Sequence, residues 1–149
     1  MGTFENEADL RRWLREGWQE GRWGPLIWVE AARGGTDGAP DVFIPTNRFG
    51  YLPTELKAFG RGKTKSERER IEIRPAQKRL HKLIKETNRK SIMLAVDCER
   101  QRIGVAFGYA VAESANGIPR VQRFVQNIVE RPADLVHLLN GNGFWQWWG

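Results

Sequence analysis

The sequence predicts an α/β domain in which a mixed central sheet is flanked by helices. The chain has 149 residues, 40% hydrophobic and 28% charged, enough to bury one core and too few for two. Short runs rich in β-branched residues alternate with segments whose apolar positions recur at helical spacing. One helix is followed by three closely spaced strand-like runs, a second helix and further strands, an order that sets helices against a sheet rather than in a bundle. Residues 1–149 therefore form a single domain.

Asn6 can cap a first helix over residues 7–19, in which Leu10, Trp13 and Leu14 share a face and Gly17 and Gly21 end the pattern. The apolar run 26–31 predicts a strand, followed by a turn-rich loop from Gly34 to Pro40. Residues 41–44 predict a second strand and 51–59 a third, which Pro53 should restrict to starting near Thr54. Residues 60–70 have the composition of an exposed loop. Pro75 suits the first turn of a second helix, with Leu80, Leu83 and Ile84 as its apolar stripe. Residues 91–97 and 103–112 predict a β-hairpin around Glu99-Arg100-Gln101-Arg102. Residues 120–129 fit either helix or strand, and 132–139 predict a last helix that buries Leu135, Leu138 and Leu139 before Gly141.

Charge is unevenly placed. Lys and Arg number 24 against 18 acids, a formal +6. Residues 61–90 hold 12 Lys/Arg and 4 Glu, a net +8, so the rest of the chain is at −2. Such a run is either a solvated helix face or a surface for a polyanion. Several classes are excluded. No apolar stretch is long enough for a membrane span, and Glu5, Glu7 and Asp9 predict no secretory signal, so a cytoplasmic, non-secreted location is expected. With one cysteine, Cys98, and two histidines, neither a disulfide framework nor a zinc cluster is expected. A metal site would have to use oxygen ligands, which points to Mg²⁺ or Mn²⁺.

Asp41, followed one connection later by Glu55-Leu56-Lys57, is the arrangement that carries chemistry. Strand side chains alternate, so Glu55 and Lys57 share a face while Leu56 points into the core. If the second and third strands pair as a hairpin, Asp41 at the start of one lies near the end of the other. Two carboxylates can then hold a hard cation against a phosphate, and the ammonium can offset charge in the transition state.

Gly38-Ala39-Pro40-Asp41, then Glu55-Leu56-Lys57, then Arg74-Pro75-Ala76-Gln77 at a helix start, resembles the PD-(D/E)XK, or restriction-endonuclease-like, nuclease superfamily. Within it the pattern looks most like the virus-type replication-repair nucleases and the small phage nucleases related to Holliday-junction resolvases. The resemblance covers about residues 7–97, in the superfamily's α-β-β-β-α-β core order, and leaves 98–149 as a C-terminal extension. It implies Mg²⁺, with Mn²⁺ as substitute, on Asp41, Glu55 and the backbone carbonyl of Leu56. Lys57 would position the attacking water, and Gln77 would reach the site from the second helix. Glu7 is the candidate for a further carboxylate from the first helix, with neighbouring Glu5 as its replacement; Glu30 and, more weakly, Asp37 are other possibilities. The activity implied is metal-dependent hydrolysis of DNA phosphodiesters to 5′-phosphate and 3′-hydroxyl ends, as an endonuclease rather than an exonuclease, on branched or replication and recombination intermediates. A homodimer would suit junction cutting.

Arg61, Lys63, Lys65, Arg74, Lys78 and Lys82 are the candidate phosphate contacts. A non-catalytic nucleic-acid-binding module using the same 61–90 surface is the alternative. Binding to anionic lipid has little support, since no helix pairs an aromatic face with a basic one. His81 lies one turn after Gln77 and is expected to be a partly exposed polar residue. Of the seven tryptophans, Trp13 is expected in the core, while Trp145, Trp147 and Trp148 should dock on the domain or a second copy rather than stack on bases.

Overall fold

The computed structural model describes residues 3–29, 38–113 and 125–148. Helices α1 (Glu7–Gly17) and α2 (Glu20–Trp23) precede strands β1 (Ile27–Trp28), β2 (Val42–Thr46) and β3 (Gly50–Phe59). Helices α3 (Lys65–Arg68) and α4 (Pro75–Glu86) lead to β4 (Ile92–Asp97) and β5 (Arg102–Phe107). Then follow α5 (Gly108–Ala112), β6 (Val125–Val129), α6 (Pro132–Asn140) and a 3₁₀ turn over Trp145–Trp147. The chain is thus an α/β domain with one mixed, open, six-stranded sheet in the order β1-β2-β3-β4-β5-β6. All neighbours are antiparallel except β3 and β4. That parallel pair is the one whose connection contains a long helix, α4, since parallel strands need a crossover.

The sheet buries its two faces differently. On one face α1, α6 and the C-terminal turn cover the main core, in which Leu10, Leu14, Val42, Leu56, Val105 and Leu135 are fully buried. Each such side chain contributes about 1.5–3 kcal/mol of transfer free energy. The other face carries a small apolar cluster of Ile71, Ile73, Met93, Ala95 and Ala106. The same face carries Glu55 and Lys57 and holds the site described below.

Asn6 caps α1 as its sequence predicts, with its side chain accepting from the Asp9 N–H at 3.1 Å. The helix stops at Gly17, where the 7–19 reading ran longer. Trp13 is buried, and its indole N–H donates to the Glu130 carbonyl at 3.0 Å. Pro53 does not delay β3, which starts at Gly50. The Thr54 carbonyl faces β2, accepting from the Asp41 N–H, so Pro53 faces the opposite edge. There the β4 ladder begins only at Thr54, and the missing N–H leaves no bond unmade. Pro45, just past the predicted 41–44 strand, also lies within β2, and the 60–70 loop contains the one-turn helix α3.

Two further corrections concern the second half. The 103–112 run is not one strand: it ends at Phe107 and turns into α5, which packs on α4. Helix α4 does not bury a stripe of Leu80, Leu83 and Ile84. Leu83 is 57% exposed, and the buried residues of the helix are Gln77 and His81. Residues 125–129 of the ambiguous segment form a strand, while 120–124 lie outside the described residues. In α6, Leu135 and Leu139 are buried and Leu138 is half-buried. Trp145 is buried, with its indole N–H on the Leu139 carbonyl at 2.8 Å, and Trp148 packs edge-on to it; Trp147 remains 67% exposed.

Candidate active site

Strand β3 fixes two of the site's side chains by alternation alone. Even-numbered Leu52 and Leu56 go into the main core, which leaves Glu55 and Lys57 on the face covered by α4. Asp41 immediately precedes β2, and its carboxylate turns onto the edge of β3 that β2 has just vacated. Its Oδ2 accepts from the Leu56 N–H at 2.8 Å and its Oδ1 from the Arg11 guanidinium at 2.6 Å. The Leu56 carbonyl leaves the strand on the same edge as its N–H, so this backbone oxygen faces Asp41's side of the sheet. The loop entering Asp41 lies against the first turn of α4. Gly38 has φ +94°, and a Cβ there would stand 2.9 Å from that of Ala76.

Gln77 ties the other groups together. Its Oε1 accepts from the Lys57 ammonium at 3.1 Å and from the Arg74 N–H at 3.0 Å, while its Nε2 donates to Glu55 Oε2 at 3.3 Å. The amide therefore holds Glu55 and Lys57 side by side and caps its own helix. One turn on, His81 Nε2 meets Glu55 Oε1 at 3.3 Å and His81 Nδ1 meets Ser91 Oγ at 2.7 Å. Glu55, His81 and Ser91 have relative exposures of 1%, 0% and 0%. The expectation that His81 is a partly exposed polar residue is overturned. Its i+4 offset from Gln77 places both side chains on one helix face, and that face looks onto Glu55 rather than solvent. Complete burial also means that this Ser-His-Glu chain cannot present its hydroxyl to a substrate; it orients Glu55.

Glu7, at the start of α1, is the third acidic group of the site. Burial raises its carboxyl above the ordinary 4.5, reinforced by the charge of Asp41 and, more weakly, of Glu55, while Arg11 and Lys57 pull it down. Burial likewise raises Glu55, against the hydrogen bond from His81. Glu5 is turned away and exposed: its N–H donates to Asp9 and its carbonyl accepts from Arg61. Glu30 and Asp37 lie outside the described residues.

A carboxyl whose pKa is raised by folding binds more protons in the native state, so its contribution to stability falls as pH rises from about 4.5 through the raised value. The metal-free protein should therefore lose stability over that window. Glu7→Gln removes the penalty and should raise the thermal midpoint at pH 7 by about 2 °C, an effect that vanishes at pH 4, as followed by circular dichroism.

The donor chemistry suits a hard divalent cation: carboxylate oxygens of Asp41, Glu55 and Glu7 and a backbone carbonyl. In the conformation seen, Asp41 carries Arg11 instead, and among the described residues no group of three or more His, Cys, Asp or Glu side chains stands in ligating geometry. Of the basic residues predicted to contact phosphate, Arg61, Lys63, Lys65, Arg74 and Lys82 are exposed and Lys78 is half-buried. Arg61 is held by the Glu5 carbonyl and Lys65 lies 3.8 Å from Glu69. No helix among the described residues is long and apolar enough to cross a membrane. No protein-family model and no curated protein matches the chain.

Proposed function

We propose that this protein is a Mg²⁺-dependent DNA endonuclease of the PD-(D/E)XK type, with Asp41, Glu55, Lys57 and Gln77 as its catalytic set. The observation that carries the reading is Gln77 joining Glu55 and Lys57 beside an Asp41 that is bonded to the intervening Leu56 N–H. With the one-turn helices α2 and α3 set aside, the element order α1, β1, β2, β3, α4, β4 supports it, since the resemblance calls for that core order. So does the net +8 of residues 61–90, the segment that carries α4 over the site.

Asp41, Glu55 and the Leu56 carbonyl would hold the metal, with Glu7 as a further carboxylate. When bound, such a cation polarises a phosphoryl oxygen and acidifies water. The protein's own groups do the rest. Arg11, now on Asp41 Oδ1, would have to release that oxygen for it to serve as a ligand. Gln77 holds the Lys57 ammonium beside Glu55, where it would orient the attacking water and offset negative charge on the phosphoryl oxygens. His81, backed by Ser91, fixes the Glu55 carboxylate so that it need not reorganise.

The deciding experiment is a cleavage panel over linear duplex, flapped, four-way and single-stranded DNA with Mg²⁺ or Mn²⁺. Cleavage should be stopped by EDTA and by Glu55→Gln, with DNA affinity in EDTA unchanged by that substitution. Intact DNA of every form under both metals overturns the proposal. It leaves the second reading, a non-catalytic DNA-binding module, which the Arg11–Asp41 ion pair favours because it already neutralises one ligand. A homodimer and a cytoplasmic location are further parts of the nuclease proposal.

A further inference from the structure

A groove of about 510 Å³ opens on the same sheet face as Glu55 and Lys57, between the β2–β3 hairpin and the C-terminal end of α4. Phe43, Phe49, Tyr51, Ile84, Arg89 and Lys90 line it, with no carboxylate among its lining residues. Register explains its position. Phe43 pairs with Pro53 in the β2–β3 ladder, and Tyr51, Pro53, Glu55 and Lys57 alternate onto one face. Tyr51 thus lies about 13 Å from Glu55 along β3, at about 3.3 Å per residue.

The groove combines aromatic rings with positive charge. Tyr51 is 41% exposed, and the Leu83 side chain on the neighbouring turn of α4 is 57% exposed. Asn88, with φ 60°, turns the chain out of α4 so that Arg89 and Lys90 border the opening. The Lys90 ammonium lies 5.4 Å from the Phe49 ring centre, and the Arg48 guanidinium lies 5.0 Å from the same ring. Burial, and after it the charges of Lys85 and Arg48, lower the Lys90 pKa.

We infer that this groove receives unpaired bases of a DNA strand whose phosphate lies at Asp41, Glu55 and Lys57, so that the substrate class is DNA with a single-stranded segment beside the cut. The inference rests on the nuclease reading for the placement of that phosphate. Three features select this occupant. The exposed Tyr51 ring, flanked by the half-buried Phe43, can stack on a base only where the base face is open, as in a single strand and not in a duplex. Arg89 and Lys90 complement a phosphate backbone. The volume is of the size that encloses a small organic ligand, or about one or two nucleotides.

The test measures fluorescence anisotropy in EDTA, which uncouples binding from cleavage. The probes are a thymidylate oligomer of about 12 nucleotides and a duplex of equal length. Tyr51→Ala should weaken single-strand binding about fivefold or more and duplex binding far less, with Tyr51→Phe restoring it. Lys90→Gln should reduce the salt slope by about one. Phe43→Leu, which keeps apolar volume but removes the ring, guards against misreading a folding defect. Single-strand affinity that stays at the level of the unsubstituted protein in both Tyr51→Ala and Phe43→Leu overturns the inference. So does self-association of the chain that Tyr51→Ala abolishes without touching DNA affinity, since a second copy then covers the groove. The two readings can fail separately. Absent cleavage with Tyr51-dependent single-strand binding removes the nuclease and keeps the groove. Cleavage of duplex and single strand at equal rates, unaltered in Tyr51→Ala, does the reverse.

Discussion

Lys57→Ala should lower Mg²⁺-dependent DNA cleavage by about 10³-fold while changing DNA affinity in EDTA and thermal stability little. The size of the loss follows from what the ammonium would do. A preorganised donor aimed at developing charge contributes about 2.7–4 kcal/mol, or 10²–10³ in rate, and Lys57 would also align the nucleophile. Small stability cost follows from its setting. Lys57 is only half-buried, and when it is removed Gln77 keeps both its bond to Glu55 and its bond from the Arg74 N–H. Lys57→Arg should fail to restore the rate, because a planar guanidinium cannot replace a compact ammonium within the reach set by the 3.1 Å contact to Gln77. Single-turnover rates with saturating protein separate the cases: if the loss appears in Kd and the cleavage rate of bound DNA is unchanged, Lys57 is a phosphate contact and the catalytic assignment falls.

Much of this arrangement could be read in the residues. Alternation alone put Glu55 and Lys57 on one face, and hairpin pairing brought Asp41 beside them, because both inferences depend on strand geometry rather than on distant contacts. The Asn6 cap was equally local. What stayed hidden depended on tertiary context. Leu80, Leu83 and Ile84 have the spacing of a buried stripe, yet α4 turns Gln77 and His81 inward because the sheet beneath it presents Glu55, and a buried carboxylate must be hydrogen-bonded. Polar matching outweighed apolar periodicity. Pro53 predicts a strand start near Thr54 because its position relative to the end of the β4 ladder is a property of the register, which single-strand reasoning does not contain. The break at Gly108 within 103–112 likewise reflects what lies against it.

Gly108→Ala should lower the thermal midpoint by about 6–12 °C and cleavage with it. Gly108 follows β5 directly, and its N–H donates to the Ser91 carbonyl at 2.9 Å. A Cβ at this position would enter the space of Ser91 Oγ and His81 Nδ1 and stand 3.0 Å from Ser91 Cβ. Nothing nearby can give way without loss. Ser91 and His81 are fully buried, and His81 is held at its other nitrogen by Glu55. Moving either breaks a chain in which every buried side-chain polar atom among the described residues has a partner. Overpacking costs about 1–3 kcal/mol, and a buried polar group left unpaired about 1–3 more. The higher helix propensity of alanine at the start of α5 returns at most about 1 kcal/mol, so the net effect is destabilising by about 3 kcal/mol. Ser91→Ala tests the origin of the effect. Alone it removes the hydroxyl that His81 Nδ1 meets; combined with Gly108→Ala it vacates part of the space that the new methyl group needs. The double variant should therefore be more stable than the sum of the single losses predicts, a coupling that calorimetry can read directly. Strict additivity would mean that the methyl group is accommodated elsewhere and that the Glu55–His81–Ser91 chain does not depend on a glycine at 108.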